Sequence, residues 1–463
     1  MPPAPLKPAA PLKPAALLEP PASLASLWIL GLLSVSSSLL ALSYLRDWEI
    51  EKFIALFGLQ MGIYGYAGWR LLKGSFGKFE RRGLIAILVI AALLRGIALF
   101  APQALSTDAF RYVWDGRVQA AGINPYRYIP ADPALVGLRD DAIYPNINRA
   151  DYAHTIYPPA AQVAFLAIER ISDNILGMKL GMLAFDGLSI ACLIALLRRR
   201  GLPATRVLLY AWHPLPVWEF AGTGHVDALA IGLLMLAFLA ASRRAPLWTG
   251  VALAAATLVK FYPAVAAPAL YRRWDWRMPL AFAATLALLY APYVSVGPAV
   301  FGFLSGYADE EGLRSGDGIF LASMLRTVLH VPQHLVQDFA PLAALLLLAA
   351  AVWLQFSSRW RAHGTWTAAL ALASLFTLLV SPHDPWYFTW LVPFLCFRPT
   401  AAHIWLTGAC TLMYVLPHPT GLAVQSLIYL PFIALLVWQY CFGRPLSSPE
   451  ILNADRAHVK SII

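Results

Sequence analysis

Long apolar blocks alternate along this chain with short basic loops, and one polar run, 106–159, breaks the alternation for longer than any other. Apolar blocks at about 27–45, 53–72, 83–100 and 175–197 each approach the ~20 residues that a membrane-crossing helix needs. The stretch 160–171 is only moderately apolar and carries Glu169 and Arg170, which predicts an interfacial helix. Blocks 247–259 and 261–271 are shorter than a span and predict a shallow hairpin with Lys260 near its tip. The whole pattern predicts an all-α polytopic membrane protein of about 12–14 transmembrane helices, with a large outer loop carrying interfacial helices.

Within the polar run, the spacing predicts a helix over 107–120. Asp108, Arg111, Tyr112 and Asp115 then fall at i, i+3, i+4 and i+7 on one face, with Phe110, Val113, Trp114 and Arg117 on the other. That is the pattern of a helix on a bilayer surface, its aromatic side in the headgroups and its two carboxylates toward water. Ser106 or Thr107 can cap it and Gly122 can end it. Asn124-Pro125 and Tyr157-Pro158-Pro159 impose turns, so the loop is expected to be folded.

Charge sets the topology. The net charge is +10, and Lys and Arg gather between apolar blocks, so the positive-inside rule explains them better than nucleic acid does. Basic loops at Lys73, Lys78, Arg81 and Arg82, at Arg198-Arg199-Arg200, at Arg243-Arg244, at Arg272-Arg273, at Arg359-Trp360-Arg361 and at Arg398 all fall on one side. The opposite side receives 102–174, 219–227, 260–262, 295–318 and 381–386. Polar residues able to do chemistry are thus delivered together, as an enzyme at the outer leaflet requires. A transporter would place its ionisable groups near the midplane. Arg95 and Asp186 lie within spans. The first is expected to snorkel outward and the second to hydrogen-bond between helices.

Composition divides the chain further. Residues 1–25 are rich in Pro and Ala, with Lys7 and Lys13, and predict a disordered cytoplasmic tail. A transmembrane domain follows over 26–445, with 102–174 as its outer loop, and a cytoplasmic tail over 446–463. Cys192, Cys396, Cys410 and Cys441 lack metal-ligand spacing and are expected to be buried free thiols. Neither an internal repeat nor a Gly-rich nucleotide loop stands out.

Read in order, Asp108, Arg111-Tyr112, Trp114-Asp115-Gly116-Arg117, Gly122-Ile123-Asn124-Pro125-Tyr126, Tyr157-Pro158-Pro159, Gly224-His225-Val226-Asp227 and Lys260-Phe261-Tyr262-Pro263 resemble the GT-C class of membrane glycosyltransferases. The likeness is to the family 87, polyprenyl-phosphate-mannose-dependent type, over about 80–400. The resemblance implies an inverting enzyme of the cytoplasmic membrane. It would move a hexose, mannose by the family's bias, from a polyprenyl-phosphate carrier to a hydroxyl of a glycan or glycolipid acceptor on the periplasmic side. It also implies Asp108 as the base. Members often pair two adjacent acids here, whereas this chain has Thr107-Asp108 and a second carboxylate, Asp115, seven residues on.

The residues agree with that chemistry. An attacking hydroxyl needs a carboxylate within reach, and a departing lipid phosphate, already an anion, needs cations. Asp108 and Asp115 are the catalytic candidates. Arg111, Tyr112, Arg117, Asn124, Tyr126, Tyr157, His225, Asp227, Lys260, Tyr262, His383 and Asp384 are the substrate-binding ones. No cofactor is expected, and a divalent metal on His225, Asp227 and His383 is the sparser alternative. Membrane lipids are the remaining partner. A polyprenyl-lipid or polysaccharide transporter and a non-catalytic scaffold are the rival readings.

Overall fold

Backbone amides in hydrocarbon must be satisfied within their own segment, and this chain meets that demand with helices alone: no strand occurs among the described residues. The computed structural model describes residues 23–74, 80–337, 339–358, 364–415 and 422–442. Most of the expected N-terminal tail, the C-terminal tail at 446–463, Lys78 and the basic loop Arg359-Trp360-Arg361 lie outside the described residues. The tail boundary shifts slightly, because α1 (Leu24–Arg46) already begins at Leu24, where Ser23 accepts the Ser26 amide at 3.0 Å.

The helices α2 (Ile50–Lys73) and α3 (Glu80–Ala98) follow, with α1 packed against both. Beyond α3 the chain forms a long folded loop, which holds α4 (Asp108–Ala120) and α5 (Pro159–Glu169), and then continues as α6 (Ile175–Arg199). At 11 residues, α5 is roughly 16 Å long, too short to cross a bilayer.

Among the described residues, five helical segments are long and apolar enough to cross a membrane: Leu24–Arg46, Ile175–Arg199, Arg277–Phe301, Gln333–Phe356 and Leu422–Gln439. Other apolar blocks appear as shorter helices, Asp227–Ser242, Pro246–Thr257 and Thr365–Val380 among them. The chain is thus the expected all-α polytopic architecture, with apolar helices of unequal length. Proline and glycine divide several of the blocks: Pro214 and Pro216 precede a π-turn at Val217–Gly222, and Gly297-Pro298 kinks Ala291–Phe301. Each break frees backbone groups that neighbouring helices must re-satisfy.

The shorter helices define two ends of the molecule. Asp227–Ser242 packs on α6, and Pro246–Thr257 packs on Asp227–Ser242. The first carries Asp227 at one end and leads to Arg243-Arg244 at the other; the second runs back toward Lys260. Thr365–Val380 likewise leads from Gly364 to His383-Asp384. At 1.5 Å per residue the two ends stand roughly 24 Å apart. Lys260 sits at the turn of the expected hairpin, between Pro246–Thr257 and a 3-10 turn at Tyr262–Ala266.

Arg95 does not snorkel. It is buried, its Nε on Asp186 Oδ2 and its Nη1 donating to Ala211 O at 2.6 Å, while Tyr210 donates to Asp186 Oδ1 at 2.7 Å. The carboxylate within the same layer offers a fuller partner than the distant headgroups, and Asp186 joins helices as expected. All four cysteines are free thiols, but Cys441 is exposed, since its helix ends where no other element covers it among the described residues.

Candidate active site

The first turn of α4 opens into a cavity of about 240 Å³. Asp108 stands at its rim in the first helical position, where the helix dipole favours an anion. The Asp108 carboxylate does not cap its own helix; instead Ser106 Oγ accepts the Asp108 amide at 3.2 Å. Two neutral donors hold the carboxylate: Asn148 Nδ2 to Oδ1 at 2.8 Å and Tyr157 Oη to Oδ2 at 3.2 Å. Burial, and then the Asp108 charge beside it, push the Tyr157 phenol well above its usual range, so it remains a donor. Each carboxylate oxygen keeps a lone pair for a further proton donor.

Cations and aromatic rings complete the wall. Lys260 Nζ reaches the cavity while paired with Asp227 Oδ2 at 2.7 Å, and it lies 4.2 Å from the centroid of the Tyr387 ring. Tyr262 donates to the other Asp227 oxygen at 3.1 Å. Arg111, Arg149, Tyr307, Trp386 and Tyr387 line the same space, with Arg149 over the Tyr307 ring at 5.7 Å. Tyr307 and Tyr387 share a hydroxyl–hydroxyl bond of 2.7 Å. Asp384 is the second acid of the cavity. Burial, reinforced by the Glu311 and Asp108 charges, raises its carboxyl to about 8, so it is largely protonated at neutral pH.

Other expected members stand outside this space. Asp115 shares a helix face with Asp108 but is 2% exposed, and it accepts from Arg111 Nε at 2.9 Å, from Gln162 Nε2 at 2.9 Å and from Thr155 Oγ1. It orders Arg111 from behind rather than facing water. Arg117 is turned away, bound to Asp173 at 3.0 Å and Asp140 at 2.9 Å. Asn124 braces the loop through Tyr293 O and Ser295 Oγ, and Tyr126 donates to Tyr157 O at 2.7 Å.

Tyr112 and His225 form a layer beneath the cavity, 3.4 Å apart, with His225 stacked on Trp386 at 4.1 Å between centroids. His383 sits behind Asp384, its Nδ1 3.2 Å from Glu311 Oε2. Burial would lower the His383 value, but Glu311 outweighs it and the imidazole is raised. Asp227, His225 and His383 therefore each have separate partners. Among the described residues no cluster of three or more His, Cys, Asp or Glu side chains is arranged to hold a metal ion.

The aromatic face of α4 is also not in lipid. Trp114 is 1% exposed against Tyr144, and α5 packs so closely that a Cβ on Gly116 would stand 2.8 Å from Phe165 O. The folded loop covers the face that periodicity assigned to headgroups. The end of α4 is as expected, with Gly122 at φ +78° and Ile123 N–H returning to Val118 O at 3.1 Å.

A carboxylate, several cations and aromatic rings around one cavity suit a sugar substrate. The family model for glycosyltransferase family 87 matches residues 155–382. The chain is a glycosyltransferase, similar to this GT-C family over that stretch. The match supports an enzyme over the transporter and scaffold alternatives, and it implies a sugar donor and an acceptor. It spans Tyr157, His225, Asp227, Lys260 and Tyr307, while Asp108 and Asp384 lie outside it. No curated protein and no solved structure matches the chain.

The sequence reading missed Asn148, Arg149, Tyr307, Trp386 and Tyr387 as wall residues of the transferase. Asn148 and Arg149 lie in the polar run, Tyr307 in the outer segment 295–318, and Trp386-Tyr387 directly follow His383-Asp384-Pro385. Proximity to motifs already singled out was the available signal.

Proposed function

We propose that the transferase moves a hexose, mannose in the first instance, from a polyprenyl-phosphate carrier to an acceptor hydroxyl at the periplasmic face of the cytoplasmic membrane. The observation that carries this reading is Asp108, held by Asn148 and Tyr157 in a cavity that Lys260 also lines. In the proposed step a lone pair of the acceptor hydroxyl forms the new bond to the anomeric carbon as the bond from that carbon to the phosphate oxygen breaks. The hydroxyl proton passes to Asp108, and the lipid phosphate departs as an anion beside Lys260, Arg149 and Arg111. Attack opposite the leaving group inverts the anomeric centre. General-base help of this kind is worth about 10²–10⁴-fold.

Protonated Asp384 is assigned a donor's role toward a sugar hydroxyl, and Trp386, Tyr387 and Tyr307 the faces on which the ring rests. Asp115 is assigned the positioning of Arg111. No cofactor enters the proposed step. Sidedness is supported by the basic end residues Arg198, Arg199, Arg200, Arg243, Arg244, Arg272 and Arg273, which lie at the end remote from Asp108, as cytoplasmic loops do.

Transfer from a short-chain polyprenyl-phosphate mannose in proteoliposomes tests the reading. Wild-type protein forms a product of inverted configuration, and Asp108→Asn binds donor but loses about 10²-fold or more of the rate. Turnover by Asp108→Asn at the wild-type rate removes Asp108 from the mechanism, and turnover only with a nucleotide sugar removes the lipid donor.

A further inference from the structure

At the end of the molecule opposite Asp108 lies a second and larger cavity, about 690 Å³ in volume. Its rim carries Arg199, Arg200, Arg244, Arg272 and Arg273. The acid among its lining residues, Asp275, is already engaged by Arg277 in two bonds of 2.9 Å. The space is therefore strongly cationic at its mouth. Deeper in, the wall becomes apolar, formed by Phe238, Trp366, Leu270 and Leu354. Phe238 and Trp366 stack at 4.4 Å between centroids, a flat surface fixed by packing and not by charge.

The level of this cavity in the bilayer is marked by its neighbours. Trp248, Trp274 and Trp276 are 67%, 69% and 68% exposed around the same end. Exposed tryptophans of this kind occupy the membrane–water interface. Arg273 lies over the rings of Trp274 and Phe356 at 5.4 and 4.6 Å, which places guanidinium groups at headgroup depth. Basic pockets between helices at this depth suit phosphorylated headgroups, and arginine forks match phosphate oxygens in pairs.

We infer that this cavity is a binding site for a lipid phosphate of the facing leaflet, its phosphate among the arginines and its chain along Phe238 and Trp366. The site stands apart from the reacting centre and does not depend on which sugar is transferred. Topology alone explains arginines on this side, but not an amphipathic cavity of this size beneath them.

The test uses the full chain in phosphatidylcholine nanodiscs with dioleoyl phosphatidic acid as probe, the retained lipid being read by native mass spectrometry. Wild-type protein retains one phosphatidic acid per chain, and Arg244→Gln/Arg272→Gln lowers the affinity at least tenfold. Arg81→Gln/Arg82→Gln, which strips the same charge from the same end outside the cavity, binds as wild type does. Equal losses in both double variants mean diffuse surface charge and overturn the site. Displacement of the lipid by an equal concentration of inorganic phosphate means a free-phosphate site and overturns the lipid. A second measurement needs no variant: phosphatidic acid with a diazirine in its chain crosslinks the unmodified protein at peptides containing Phe238 or Trp366. Crosslinks confined to other peptides overturn the proposal even where the double variant fails to fold.

Discussion

Tyr157 donates its hydroxyl to Asp108 across 3.2 Å, and the Asn148 amide holds the other carboxylate oxygen at 2.8 Å. Two donors fix the plane of the carboxylate. Each bond to a charged group contributes about 1.5–3 kcal/mol. Tyr157→Phe and Asn148→Ala are each expected to lower kcat about tenfold or more with little change in donor affinity. The double variant should lose less than the product of the single effects, because both act through one carboxylate. Steady-state transfer kinetics on the four proteins measure this, and fully independent effects would argue against a shared role.

Lys260 and Asp227 form an ion pair of 2.7 Å with the carboxylate wholly buried. Lys260→Met leaves that carboxylate with Tyr262 and no cation, a loss of about 3–5 kcal/mol for a buried pair broken on one side. Adding Asp227→Asn should restore much of the thermal stability in detergent without restoring transfer. Recovery of activity in the double variant would make Lys260 a purely structural residue.

Asp115 shows where the sequence was legible and where it was not. Helical spacing correctly gives one face to Asp108, Arg111, Tyr112 and Asp115, but seven residues advance the helix roughly 10 Å. Only its first turn reaches the cavity. Thr155 and Gln162, some forty residues on, close over the second turn, and no local pattern announces that long-range packing. Asn148, Tyr307 and Tyr387 escaped notice for the same reason, since loops carried by distant helices deliver them. Asp108, Arg111, Lys260 and Asp384 were legible because charge in an apolar chain is rare and basic loops fixed the ends of its helices, and Tyr157 because the Tyr157-Pro158-Pro159 turn marks it. The breaks at Pro214, Pro216 and Gly297-Pro298 were not legible, because hydropathy registers apolar length and is blind to where proline divides it.

The bond between Asp115 and Arg111 is accordingly a positioning device. Asp115→Asn keeps the shape but weakens the guanidinium's anchor, so donor KM should rise severalfold while kcat falls less than in Asp108→Asn. Arg111→Gln should reproduce most of that effect, and the pair should be strongly non-additive. A kcat loss in Asp115→Asn equal to that in Asp108→Asn would return Asp115 to the reacting centre.

Asp384 gives the site a pH dependence of definite sign. Its carboxyl is raised by burial and by neighbouring acids to about 8 in the folded protein, against about 3.9 in an unfolded chain. Between these values the native state holds a proton that the unfolded state has released, so this group's contribution to stability falls as pH rises from about 4 to 8 and levels off above 8. Transfer should likewise decline above pH 8 as a second negative charge appears near Asp108. Asp384→Asn should remove the alkaline decline and flatten the stability profile, as read by pH series of initial rate and melting temperature. An alkaline limb that persists in Asp384→Asn belongs to another group.

Sidedness can be decided with two exposed positions at opposite ends, Asn146 beside the Asp108 cavity and Arg243 at the basic end. Of the native thiols only Cys441 is exposed, so a Cys441→Ser background leaves the buried three as silent passengers. With a membrane-impermeant maleimide, intact spheroplasts should label Asn146→Cys and spare Arg243→Cys, and inside-out vesicles should do the reverse. The outcome bears on chemistry as well as on topology. Nucleotide sugars are confined to the cytoplasm, so an Asp108 cavity open to the periplasm must draw on a donor that reaches that face through the membrane. Labelling of Asn146→Cys only from the cytoplasmic side would place the reacting carboxylate where a soluble donor is available, and the physical case for a lipid-linked one would be lost.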